Sequence, residues 1–273
     1  MRRADALDAE AHAGVAARLV ADLPERPTIV DAGCGTGGMS AAFAAHLATR
    51  SGGVLILVDA TPELLAEAEK AASAVGGPEV RLETVVADVA DGHLRELVPP
   101  ADLVWASAMV HHLPDQQAGI AELAAALRPG GKLAIVEGGL QMQCLPWDLG
   151  IGEPGLEYRL LAARDAWFGE LRAGMTDSVP LPYGWNLALG KAGLTEVSAF
   201  SFLNDHPAPG SDTLRDFIAD RVDWLAHVTG DRISEADRET VARLTDPGDP
   251  AYLGARDDVF ILGTRTVHYG RSR

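Results

Sequence analysis

The chain has 273 residues, a formal net charge of −16 and 47% hydrophobic residues. This length and apolar content suffice for one large α/β domain with insertions or with a small cap. The acidic balance disfavours nucleic acids and anionic membranes as partners, because both repel a negatively charged surface. Two cysteines give no disulfide framework, and the first residues hold no apolar stretch typical of a secretory signal. We therefore expect a cytoplasmic protein, and a homodimer is compatible with these observations.

The first predicted elements lead into a glycine-rich turn. Residues 5–23 show the apolar spacing of one amphipathic helix, which Pro24 and Pro27 end. A short apolar run then predicts a buried strand that ends at Asp31, and an alanine-rich helix begins near Met39. Glycines between a strand and a helix let the backbone approach a ligand closely, and the helix start presents free N–H groups. The segment therefore predicts a nucleotide-type site.

The spacing of the glycines leaves the kind of nucleotide open. Gly33, Gly35 and Gly38 satisfy the G-x-G-x-x-G pattern of dinucleotide-binding proteins. Asp31 stands just before the turn, where a pyrophosphate would pass, and a carboxylate there repels phosphate but suits a cation. The turn therefore favours a cofactor that carries positive charge and no phosphate, such as S-adenosylmethionine.

Strand and helix alternate along the next hundred residues. Strands are predicted at 28–31, 54–58, 80–87, 102–106 and 132–136. The continuous apolar run at 54–58 is typical of a parallel strand buried on both faces, and the alternation predicts a doubly wound, mostly parallel sheet. Ligands of such sheets bind at the carboxyl ends of the strands. The polar residues predicted at these ends are Asp31, Asp59, Asp88, Ser107 and Glu137.

The pattern changes after Gly139. Residues 140–185 are rich in aromatic residues, prolines and glycines, and form either a lid over an acceptor or ordinary core. Helices are predicted at 185–192, 211–228 and 234–244, and strands at 195–203 and 258–267. Trp224 and Phe217, at helical spacing, are expected in the core.

Four parts follow from this order of elements. They are an N-terminal helical cap (1–27), a cofactor-binding core (28–139), a lid or substrate insertion (140–192), and C-terminal strands (193–273) that complete the sheet around a helical insertion at about 205–255.

The segment Val30-Asp-Ala-Gly-Cys-Gly-Thr-Gly37 resembles motif I of the class I S-adenosylmethionine-dependent methyltransferases. The resemblance covers residues 28–139 well and 193–267 loosely. It implies a seven-stranded Rossmann-like fold that closes with a hairpin of the sixth and seventh strands, the seventh antiparallel. In this chain about fifty residues interrupt that hairpin.

The resemblance also implies S-adenosylmethionine as cofactor and assigns residues to it. In the family, the glycine turn approaches the methionine part, the acidic residue after the second strand binds the ribose hydroxyls, and the aspartate after the third strand accepts from the adenine amino group. The matching cofactor-site positions here are Asp31, Gly33, Gly35, Gly37, Asp59, Ala60, Asp88, Val89 and Ser107.

Three residues are candidates for the chemistry. His111 and His112 follow the fourth strand, where similar small-molecule O-methyltransferases place a histidine base, and Glu137 stands at their carboxylate position after the fifth strand. Adjacent residues point in different directions, so at most one histidine is expected to face the acceptor. Alternatively, one histidine only packs on the cofactor. The pair lacks H-x₃-H spacing, and no metal is expected.

The acceptor itself is expected to contact aromatic residues of the segment after Gly139. The candidates are Trp147, Tyr158 and Tyr183.

Together these observations predict methyl transfer to a small-molecule acceptor, by O-methylation in specialised metabolism. A protein or tRNA methyltransferase would be expected to have a basic groove or an N-P-P-Y-type motif after the fourth strand. This chain has Ser107-Ala-Met-Val110 at that position. A fold member that binds S-adenosylmethionine without transferring its methyl group is a second alternative. A nicotinamide oxidoreductase is a third, against which Asp31 and Asp88 argue.

Overall fold

The computed structural model describes residues 2–273. The strands in this range are β1 (Thr28–Ala32), β2 (Gly53–Asp59), β3 (Val80–Val86), β4 (Ala101–Ser107), β5 (Leu127–Val136), β6 (Thr195–His206) and β7 (Ile261–Arg271). They form one sheet in the order β3-β2-β1-β4-β5-β7-β6. The neighbouring strands among β1 to β5 all run parallel to one another: β1 pairs with β2 and β4, β2 pairs with β3, and β4 pairs with β5. β7 runs antiparallel to β5. The predicted fold class is confirmed.

Ten α-helices occur in the described range. They are α1 (Arg2–Leu7), α2 (Ala9–Val20), α3 (Gly38–Ala48), α4 (Pro62–Ser73), α5 (Leu94–Leu97), α6 (Gln116–Ala125), α7 (Leu156–Gly174), α8 (Trp185–Lys191), α9 (Asp212–Thr229) and α10 (Glu235–Thr245). Within residues 2–273, no helix combines the length and the apolar content needed to cross a membrane.

The central strands of the sheet are buried on both faces. The neighbouring residues Leu55 and Ile56 of β2 pack into two different cores, and neither side chain is exposed. In the first core, Phe43 of α3 meets Trp105 of β4 edge to face, with ring centroids 5.9 Å apart. Burial on both faces is the reason why β2 is a continuous apolar run in the sequence.

The register of the parallel strands brings their carboxyl ends into one row. Ala32 at the end of β1 pairs with Val58 of β2 and with Ala106 of β4. Ser107 at the end of β4 pairs with Val136 at the end of β5. The residues that follow these four strands therefore lie along one edge of the sheet.

Some predicted elements differ in the structure. The helix expected over residues 5–23 is divided at Asp8 into α1 and α2, although His12 N–H still bonds to Asp8 O at 2.8 Å. The carboxylate of Asp8, the residue between these two helices, pairs with Arg265 at 3.0 Å. β7 begins at Ile261 rather than at residue 258, and the 19-residue helix α7 has no counterpart in the prediction.

The chain divides into two compact units. The first comprises the chain up to residue 139 with residues 177–202 and 265–273, and the second comprises residues 140–176 and 203–264. The four-part division of the sequence remains a prediction, and the two units group residues 177–192 with the sheet.

In the second unit, α9 packs against both α7 and α10. Arg159 pairs with Asp237 at 2.7 Å, and the rings of Trp167 and Trp224 meet edge to face at 6.3 Å. Trp224 is 44% exposed, so the expectation that it belongs to the core is wrong. Its ring covers Trp167 on an accessible face of α9 instead. Phe217 is half-buried.

Candidate functional site

The glycine turn between β1 and α3 needs its glycines. Gly33, Gly35 and Gly37 have φ angles of +72°, +56° and +85°, which L side chains rarely adopt. A Cβ on Gly37 would also lie 2.5 Å from the Cα of Ala68 in α4. Gly37 N–H bonds to Cys34 O at 3.0 Å and closes the turn. The predicted close-approach loop is thus held in one conformation.

Asp59 at the end of β2 is fixed by this turn. Its Oδ2 accepts from Gly35 N–H and its Oδ1 accepts from Thr61 N–H, each at 2.9 Å, and the residue is 9% exposed. A carboxylate offers about four acceptor positions, so two bonds to backbone leave capacity for a ligand with paired hydroxyls. The structure therefore orients Asp59 without saturating it.

Asp31 is buried at the end of β1. It is 2% exposed, and its Oδ2 accepts from Ser40 Oγ at 2.5 Å. Burial raises the pKa of Asp31 to about 7; the Ser40 hydrogen bond opposes this shift, and the nearby carboxylates Asp59 and Asp5 add to it. A cation placed beside the turn would relieve this repulsion.

Sequence reasoning missed Asp5 and Ser40. Asp5 of α1 accepts from Thr36 Oγ1 in the glycine turn, and a Cβ on Gly38 would collide with its carboxylate. The pattern of residues 5–23 places Asp5 on a helix but contains no signal for a partner 31 positions away. Ser40 looks like any small residue of an alanine-rich helix.

The remaining cofactor candidates lie along the same edge. Asp88 follows β3, is exposed, and its Oδ1 accepts from Ala90 N–H at 2.9 Å. Ala60 is exposed after β2, Val89 is 6% exposed, and Ser107 ends β4 half-buried. Their contacts with a cofactor remain predictions.

The structure brings the three candidate residues for the chemistry together. The ring nitrogen Nδ1 of His111 lies 2.7 Å from Glu137 Oε2, and the backbone N–H of His111 donates to Glu137 Oε1 at 3.3 Å. The rings of His111 and His112 are 4.1 Å apart. Glu137 is 4% exposed, whereas the side chain of His111 is 28% exposed. A buried carboxylate thus holds a partly accessible imidazole.

The Glu137 contact determines the tautomer of His111. An ionised carboxylate only accepts hydrogen bonds, so in a neutral His111 ring Nδ1 carries the proton and Nε2 keeps a lone pair. An imidazole in this form can take up a proton at Nε2 while the carboxylate stabilises the resulting positive charge.

A strained residue stands between β4 and the histidines. Ala108 has a φ of +51°, and its N–H bonds to Val136 O at 3.0 Å. This conformation costs a non-glycine residue ~1–3 kcal/mol, and such strain is often concentrated at functional sites. It turns the chain from β4 into the short 3₁₀ helix Val110–His112. Nothing in the sequence marks Ala108 as strained.

Tyr183 belongs to the first unit and lies near the start of α6. Its hydroxyl donates to Gln117 Oε1 at 3.0 Å, and Val179 N–H bonds to Pro114 O at 3.0 Å. The segment of Tyr183 therefore packs beside the residues that directly follow the histidines.

Trp147 and Tyr158 belong to the second unit. They are 64% and 52% exposed, and their rings meet edge to face at 5.7 Å. Contact of these aromatic residues with an acceptor stays a prediction. Among residues 2–273, no group of three His, Cys, Asp or Glu side chains could hold a metal ion.

Most of the chain that forms this edge is similar in sequence to known proteins. Residues 30–133 match the family model described as "Methyltransferase domain". A trans-aconitate 2-methyltransferase of Deinococcus radiodurans is 36% identical over 129 residues, which cover 46% of this chain and 44% of the relative. One of Variovorax paradoxus is 34% identical over 113 residues, which cover 41% and 39%. The chain thus spans less than half the length of these curated relatives.

A solved structure shows the same fold over nearly the whole chain. The crystal structure of a putative methyltransferase from Bacillus halodurans superposes with a TM-score of 0.51 at 17% identity, covering 94% of this chain and 98% of the other. This structure shows the fold alone, and the match of residues 30–133 to the family model agrees with the resemblance predicted from the glycine turn.

Proposed function

We propose that this chain transfers a methyl group from S-adenosylmethionine to a hydroxyl oxygen of a small-molecule acceptor in specialised metabolism. The observation that carries the proposal is the 2.7 Å contact between His111 Nδ1 and Glu137 Oε2 at the edge where ligands of doubly wound sheets bind. The match to a methyltransferase domain supports the reaction class.

The residues around the glycine turn fit the cofactor. S-adenosylmethionine carries a sulfonium, an ammonium and a ribose diol, and it has no phosphate. Asp59 is oriented towards the turn with acceptor capacity left for the diol, and exposed Asp88 is available to an amino group. Asp5 lies near Asp31, and a cationic ligand would favour the ionised form of Asp31. The same carboxylates disfavour the pyrophosphate of NAD.

The proposed chemistry follows from the dyad. Bound S-adenosylmethionine supplies a methyl group already activated by the sulfonium. His111 Nε2 accepts the proton of the acceptor hydroxyl, and Glu137 keeps the ring oriented and stabilises the imidazolium. Such a base contributes typically ~10²–10⁴-fold, in addition to the larger effect of aligning the reactants.

The names of the relatives suggest a second acceptor class. Trans-aconitate is a tricarboxylate, and a carboxylate is already ionised at neutral pH, so it needs no base for methylation. The His111–Glu137 pair therefore favours a hydroxyl over a carboxylate. Glu137 also lies outside the segment that matches the family model, which ends at residue 133.

Incubation with methyl-tritiated S-adenosylmethionine tests the proposal. The acceptors are a panel of phenols and sugar alcohols, trans-aconitate, bulk tRNA and a protein mixture. We expect label on a hydroxyl acceptor, a large loss of that label in His111→Asn, and no loss in the exposed control His93→Asn. Label on trans-aconitate that His111→Asn leaves unchanged would replace the hydroxyl by a carboxylate acceptor. Label on tRNA or protein alone, or cofactor binding without transfer, would contradict the proposal.

A further inference from the structure

The backbone of Glu137 forms hydrogen bonds, in addition to those of its side chain. Its N–H donates to Thr266 O at 3.1 Å, and its carbonyl accepts from His268 Nε2 at 3.1 Å. His268 lies on β7 opposite Ile135 of β5. Both contacts come from β7, the antiparallel neighbour of the strand that Glu137 follows.

The His268 contact replaces a hydrogen bond of the sheet. In a regular antiparallel pair, Thr266 N–H would return a bond to Glu137 O. Here Thr266 N–H bonds to Gly138 O at 3.3 Å, which leaves the Glu137 carbonyl without a donor from the backbone of Thr266. A buried carbonyl needs a partner, and the imidazole of His268 supplies it.

This contact fixes the protonation of His268. A carbonyl oxygen only accepts, so His268 Nε2 carries the hydrogen and Nδ1 keeps a lone pair. In the part of the chain that the structure describes, the buried Nδ1 has no hydrogen-bond partner. Burial lowers the pKa of His268, against the opposing effects of the Glu137 carbonyl and carboxylate. His268 is therefore a neutral donor with the opposite tautomer to His111.

We propose that His268 is a positioning residue for the His111–Glu137 pair. Its bond to the Glu137 carbonyl fixes the backbone at the point where the chain leaves β5. The direction of the Glu137 side chain, and with it the tautomer of His111, follows from that backbone. The inference rests on the proposed function, in which His111 is the base.

Nitrogen NMR of the histidines tests this coupling without an acceptor. The whole chain is labelled with ¹⁵N-histidine, and long-range proton–nitrogen spectra at neutral pH distinguish the two tautomers of each ring. In the wild type we expect His111 protonated at Nδ1 and His268 at Nε2. His268→Leu should shift His111 to a mixture of tautomers. His268→Gln, whose amide can donate to the same carbonyl, should restore the Nδ1–H form, and the exposed control His93→Leu should change nothing.

Three outcomes would overturn the proposal. They are an unchanged His111 tautomer in His268→Leu, equal disturbance by the leucine and glutamine variants, and a wild-type His268 that carries its proton at Nδ1 or is charged. The last can be measured even if His268→Leu does not fold. Because the spectra need no turnover, failure of methyl transfer and failure of this coupling are read separately.

Discussion

Two neighbouring regions of the sheet edge hold their carboxylates in different ways. After β1 and β2, Asp31 and Asp59 accept hydrogen bonds from a serine hydroxyl and from backbone N–H groups, none of which carries a positive charge. After β5, Glu137 contacts an imidazole that can become charged. The first region is thus suited to a cationic ligand, and the second carries its own proton acceptor. Binding and proton transfer should therefore respond to separate substitutions.

The largest separation is expected for His111→Asn. Loss of the base should lower kcat with a hydroxyl acceptor by ~10²–10⁴-fold, while the Kd for S-adenosylmethionine stays nearly unchanged because binding needs no base. Steady-state kinetics and calorimetry measure the two quantities, with His93→Asn as control. An unchanged kcat would mean that alignment alone carries the reaction.

Asp31→Asn should change the pH dependence of stability. Folding raises the pKa of Asp31 from about 3.9 to about 7 by burial, so the folded state favours the protonated form. The contribution of Asp31 to the free energy of unfolding of the wild type therefore decreases as pH rises from about 4 to 7. The asparagine variant does not show this decrease. Relative to the wild type, the variant should gain about 2–3 kcal/mol between pH 5 and pH 8 in denaturant titrations. Parallel stability profiles of the variant and the wild type would contradict the role of burial.

Asp59→Asn should weaken cofactor binding and spare chemistry. Losing a charged hydrogen-bond partner costs ~1.5–3 kcal/mol, which corresponds to about 10–150-fold in the Kd for S-adenosylmethionine. Exposed Glu63, in the first turn of α4, provides the control variant Glu63→Gln. If calorimetry finds the same Kd for Asp59→Asn and wild type, Asp59 only anchors the turn through Gly35 and Thr61.

Tyr183→Phe should have the smallest effect. The substitution removes one neutral hydrogen bond, to Gln117, worth ~0.5–1.5 kcal/mol. We expect a severalfold rise at most in the acceptor KM and no change in cofactor Kd, with Tyr252→Phe in the second unit as control. A change in cofactor Kd without a change in KM would remove Tyr183 from the acceptor side.

The sequence predicts most of the first unit because its signals are local. The central parallel strands contain apolar runs such as Val54–Val58 of β2, and burial on both faces produces that run directly. The polar residues at strand ends then follow from topology, which is why Asp59 and Glu137 could be placed on one edge. Helix α7 was missed because its charged and aromatic residues alternate without a clear apolar stripe.

The contacts that tune the site could not be predicted in the same way. Ser40 against Asp31, Asp5 against Thr36, and His268 against Glu137 join residues of separate elements. His268 lies 131 positions from its partner, and its role depends on a shifted hydrogen bond between β5 and β7. Only the three-dimensional register shows such a shift.

Calorimetric titration of the purified chain with S-adenosylmethionine, S-adenosylhomocysteine and NAD tests the central claim most directly. Because carboxylates surround the glycine turn and favour a ligand without phosphate, we expect micromolar-range binding of S-adenosylmethionine and S-adenosylhomocysteine and no binding of NAD. Tight binding of NAD with none of S-adenosylmethionine would contradict the account.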